Sequence, residues 1–129
     1  MASPDIGSPS WRTVRNIASW DLVLAIMNES LPEVNGWVCR PIIDLMHGLI
    51  AHGAKEHYFA SQSHLRLALE ALADVWLQPH VLVTPHGDGT LTVDLYDVVN
   101  AQFVVAHSER CTMPEAVGIV MKHAKQWIG

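Results

Sequence analysis

Apolar positions along this chain change their period near its end, and that change predicts the elements. The run His80-Val81-Leu82-Val83-Thr84, the turn cluster Pro85-His86-Gly87-Asp88-Gly89 and the alternating Leu91-Thr92-Val93-Asp94-Leu95 read as a β-hairpin. A third strand is expected from Gln102 to His107. Thr112-Met113-Pro114-Glu115 then opens a helix running to Ile128, with Val117, Val120, Met121, Ala124 and Trp127 along one side. Thr112 is its expected N-cap, and Glu115 supplies the returning carboxylate of a capping box.

The first half follows the helical period. Ser8-Pro9-Ser10 starts a helix in which Val14, Ile17, Trp20 or Asp21, Leu24, Met27 and Leu31 recur every three or four residues, and Pro32 stops it. Glu33 to Trp37, containing Asn35-Gly36, reads as a turn. Pro41 sits as an early helical residue ahead of Ile42, Leu45, Met46, Leu49 and Ile50, and Gly53 closes that helix. After a connection from Lys55 to Ser61, a third helix is expected from Ser63 to Leu77. Its apolar stripe is Leu65, Ala68, Leu69, Leu72, Val75 and Trp76, and Gln78-Pro79 ends it. The predicted order is α-α-α-β-β-β-α. It makes an α+β fold, with a three-stranded antiparallel sheet packed against helices. Leu91, Val93 and Leu95 face the helices in this arrangement, while Thr92, Asp94 and Tyr96 face away. Residues 1–10 are expected to be a flexible leader and residues 11–129 one domain.

Composition narrows the class of partner. Half of the 129 residues are hydrophobic and 16% are charged, against about 25% in typical domains. That shortage of charge, with five tryptophans, predicts a surface hidden in a homo-oligomer or against a protein partner. A net charge of −5 with scattered basic residues argues against nucleic acid. No apolar run is long enough for a membrane span. The first ten residues lack the basic and apolar regions of a secretory signal. Cys39 and Cys111 form no CxxC pair, so a reduced, cytoplasmic chain is expected, with a disulfide between them left open.

Candidate chemistry is sparse. The eight histidines offer no convergent set at helical spacing: His47 and His52 lie on different sides of one helix, and Asp44 with His47 is a two-ligand fragment. No metal and no cofactor are expected. Cys111 precedes a helix N-terminus with His107 four residues upstream, the nearest approach to an activated thiol, but a buried inert cysteine is the commoner outcome. Gly87 and Gly89 serve a hairpin turn. Two sets of site residues remain. Trp11, Arg12, Arg15, Trp37 and Arg40 have the composition of an interaction hot spot. Asp94, Tyr96, His107 and Cys111 would line a pocket between sheet and helices. The leading expectation is a non-enzymatic, self-associating interaction module with no catalytic residue; the alternative is a small-molecule binder or small enzyme using that pocket.

Two resemblances bear on this. The α-β-β-β-α order expected from Ser61 to Gly129 resembles double-stranded-RNA-binding domains in topology, but Met113-Pro114-Glu115-Ala116 replaces the basic start of their last helix, which excludes that function here. Ile17-Ala18-Ser19-Trp20-Asp21-Leu22-Val23, and the segment Ala106 to Lys122 with Thr112, Pro114, Glu115 and Ala116, resemble small phage "ABA sandwich" domains. The likeness is confined to those segments, and Pro41 to Val75 has no counterpart. It implies an accessory protein of a phage or other mobile element and assigns no catalytic residue.

Overall fold

Helical and extended backbone are interleaved as α1 (Pro9–Ser30), α2 (Gly36–Ala51), α3 (Ala54–His57), β1 (Phe59–Ser63), β2 (Arg66–Glu70), β3 (His80–Pro85), β4 (Thr90–Val99), β5 (Gln102–Thr112) and α4 (Met113–Trp127). The structure, a computed structural model, describes residues 9–30, 36–73 and 75–129, with backbone alone for residues 9, 10 and 36–38. Residues 1–8 of the expected leader and 33–35 of the expected turn lie outside the described residues, while Pro9 and Ser10 begin α1 and Gly36 and Trp37 begin α2. Helix α2 begins earlier than its proline suggests, with Pro41 inside it.

The five strands form one antiparallel meander, β1-β2-β3-β4-β5. This corrects the expected three-stranded sheet: the order is α-α-α-β-β-β-β-β-α, and the helix predicted from Ser63 to Leu77 does not form. The segment instead makes a hairpin in which Ala60 pairs with Leu69 and Gln62 with Leu67. Its turn residues His64 and Leu65 both have positive φ (52° and 64°), the backbone of a tight hairpin turn that usually carries Asn-Gly. Leu, Ala and Glu favour helix intrinsically, but Leu67 and Leu69 alternate with Ala68, and burying them against the core outweighs propensity.

One face of the sheet carries the core. Leu67, Leu69, Val81, Val83, Leu91 and Val93 are fully buried there together with Leu45, Met46 and Leu49 of α2 and Val120 and Ala124 of α4. Helices α2 and α4 approach closely because Gly48 has no side chain; a Cβ there would stand 2.5 Å from Val117 Cγ2. Helix α4 starts as expected. The Glu115 carboxylate accepts from the Thr112 N–H (3.1 Å) and hydroxyl (2.7 Å), and Ala116, Val120, His123 and Ala124 are buried.

Helix α1 is stitched along the β1 edge. Ser19 Oγ accepts from the Ala60 N–H at 2.8 Å, Asn16 Nδ2 donates to the Glu56 carbonyl, and the fully buried Trp20 donates its indole N–H to the Tyr58 carbonyl at 2.9 Å. Helix α1 thereby satisfies an outward N–H of β1 and shields that edge. Strand β5 forms the other edge. It is interrupted where Leu95 pairs with His107 but Tyr96 with Val105, leaving Ala106 as an extra residue; such a bulge guards an edge against indiscriminate pairing.

Candidate functional site

Strand alternation sends Phe59, Ser61, Arg66, Ala68, Glu70, His80, Leu82 and Tyr96 to the face away from the helices, in the rows Phe59–Glu70–His80–Tyr96 and Ser61–Ala68–Leu82–Asp94. Ala68 and Leu82 are buried yet belong to no helix-facing core. They floor a cleft of about 700 Å³, whose lining includes Phe59, Glu70, Trp76, His80, Tyr96 and Phe103. Its wall is aromatic. His80 stacks on Tyr96 with centroids 4.8 Å apart and planes at 6°, while Phe103 sits edge-on to His80 (5.0 Å), Trp76 (6.0 Å) and Tyr96 (6.3 Å). Trp76 stands at the rim, 81% exposed.

The connection between β2 and β3 presents that indole, and Gln78 organises the connection. The Gln78 amide nitrogen donates to the Leu72 and Val75 carbonyls (2.6 and 2.7 Å) and to Glu70 Oε2 (3.1 Å), while its oxygen accepts from the Leu72 N–H (3.1 Å). Glu70 also accepts from the Ser61 hydroxyl at 2.8 Å. Leu72, Val75 and Leu77 of the same connection and Val105 of β5 are exposed apolar residues.

The expected pocket residues part company. Tyr96 enters the aromatic cleft and Asp94 sits one row further on the same face, whereas His107 and Cys111 belong to the opposite face, paired with Leu95 and Leu91. Burial pushes the Cys111 thiol above its usual 9.0, and the Glu109 and Glu115 carboxylates push it the same way, so it is held protonated. Cys39 and Cys111 are free and buried. Of the expected hot-spot residues, Trp11, Arg12 and Arg15 lie on the first turns of α1 and Arg40 on the outside of α2; the Trp37 side chain lies outside the described residues. Arg12 reaches the Ala71 carbonyl at 3.2 Å, beside the connection that carries Trp76.

Sequence reasoning missed Trp76 as a surface residue because it assigned it to a helix core, and it missed a further group altogether. His107 and Glu109 project from one side of β5, and His123 of α4 comes against them. His123 Nε2 lies 2.7 Å and His107 Nε2 3.9 Å from Glu109 Oε2, and the ligand atoms of these residues all fall within 4.8 Å of one another. The hydrogen bond from His123 is the main cause that holds the Glu109 carboxyl below its usual 4.5. The only signal for this group in the sequence was the i, i+2 spacing of His107 and Glu109 in a strand.

No helix among the described residues is long and apolar enough to cross a membrane. Comparison with protein-family models, curated proteins and solved structures finds no significant match to any of them.

Proposed function

We propose that this protein is a non-enzymatic binding module that self-associates through the uncovered face of its sheet, each copy placing Trp76 in the other's cleft. One observation carries the reading: a tryptophan left 81% exposed stands at the rim of a cleft walled by aromatic rings. Tryptophan is enriched among residues that dominate interface energetics, and ring pairs prefer the edge-to-face contacts that Phe103 and Tyr96 offer. A knob and its matching hole on one surface make a self-complementary, two-fold interface. Leu72, Val75, Leu77 and Val105 supply an apolar surround that excludes water. Sedimentation velocity over a concentration series tests it. The wild type is expected to pass from monomer to dimer and Trp76→Ala to remain monomeric. A wild type that stays monomeric throughout, or a variant that dimerises equally, overturns it.

Glu70 and Arg66 in the same cleft favour a second reading, a small ring-bearing ligand with a polar substituent. That reading predicts a monomer whose cleft captures such a compound from a mixed library, detected by native mass spectrometry and lost in Trp76→Ala.

A further inference from the structure

We propose that His107, Glu109 and His123 form a binding site for one divalent transition metal ion of the zinc type, on the helix-covered side of β5. Strand alternation sets His107 and Glu109 on one side of β5, and the packing of α4 brings His123, 8% exposed, against them. These residues therefore converge from two elements, independently of the aromatic cleft on the other face.

Two imidazole nitrogens and one carboxylate oxygen suit Zn²⁺, Co²⁺ or Ni²⁺, whereas Mg²⁺ and Ca²⁺ favour all-oxygen sites. Ligand atoms about 2.0 Å from a tetrahedral zinc stand about 3.3 Å from one another. Here the His123–Glu109 separation is 2.7 Å, the His107–Glu109 separation 3.9 Å and the widest within 4.8 Å. Opening the first requires a small shift of the Glu109 carboxylate, 40% exposed, and closing the others a rotation of His107, 54% exposed. Among the described residues the set has no fourth protein ligand, and the exposed His107 side leaves that position to water. Glu109 meets the requirement that ligands be deprotonated, since its carboxyl is held below the usual range.

The test is calorimetric titration of ZnCl₂ into chelator-treated full-length protein, with cobalt absorption as a report on ligand geometry. The wild type is expected to take up one ion per chain and to gain thermal stability from it. Loss of even an outer-shell partner weakens metal sites tenfold to a hundredfold, so removal of a ligand in His107→Gln should weaken zinc binding by about a hundredfold or more. His107 is exposed, so this variant keeps its fold, checked by circular dichroism. His57→Gln, an exposed histidine elsewhere, should bind as the wild type does. Failure of the wild type to bind zinc overturns the proposal. So does a folded His107→Gln protein that binds zinc with unchanged affinity and cobalt spectrum.

Discussion

The indole N–H of Trp127 donates to the backbone carbonyl of Tyr96 at 2.9 Å, tying the last turn of α4 to β4 at the step where β5 carries the extra Ala106. The Tyr96 ring points the other way, into the aromatic cleft. One hydrogen bond thus links the helix layer to the strand position that aims a cleft side chain. Trp127→Phe keeps most of the apolar area but leaves that part-buried carbonyl without its donor, an expected loss of about 1–2 kcal/mol in urea denaturation. If the bond also aims Tyr96, the variant self-associates more weakly at a concentration where it is still fully folded.

Gln78 is the second point of control. Its amide joins Leu72, Val75 and Glu70 in one hydrogen-bonded group beneath Trp76. Gln78→Ala leaves the part-buried Leu72 N–H and the Leu72 and Val75 carbonyls without their partner and should cost about 1 kcal/mol. Amide hydrogen exchange is expected to quicken over residues 71–77 and to stay unchanged in the α2–α4 contact. Uniform quickening would mean that Gln78 supports the whole fold rather than the connection.

Acid should destabilise the protein through identifiable carboxylates. Glu109 is held below 4.5 chiefly by the His123 hydrogen bond, Glu115 below 4.5 by Thr112, and Asp88 below 3.8 by Thr90, with Arg110 adding to the effect on Asp88. A carboxyl whose folded pKa lies below its unfolded value contributes stability that is complete above the unfolded value and lost as pH falls through the folded one. Through these carboxylates, urea midpoints should fall as the pH drops below about 4.5. Glu115→Gln should fall less steeply over the same window; an identical slope would remove Glu115 from this account.

The sequence pattern made the second half of the fold legible and misread its centre. The β3–β4 hairpin was readable because Gly87, Asp88 and Gly89 are conventional turn residues, and Gly89 indeed has φ +84°. The Thr112–Glu115 box located α4 because capping is local chemistry. The β1–β2 hairpin was illegible because His64-Leu65 carries no turn signature and Leu65, Ala68, Leu69 and Leu72 also match a helical stripe. That error hid the cleft, which needs β1, β2 and the connection bearing Trp76. The His107–Glu109–His123 group depends on which turn of α4 meets which residue of β5, a tertiary fact that spacing along the chain does not encode.

Reciprocal insertion of Trp76 can be tested by mixing two variants with complementary defects. Trp76→Ala has no knob but keeps the cleft floor and its His80, Tyr96 and Phe103 rings. Ala68→Phe keeps the knob and fills the cleft floor with a ring. Each alone should sediment as a monomer at concentrations where the wild type is dimeric. Mixed in equal amounts at raised concentration they should form a heterodimer, weaker than the wild-type dimer because only one of its two Trp76 insertions is made. A mixture that remains as monomeric as its separate components would contradict the account.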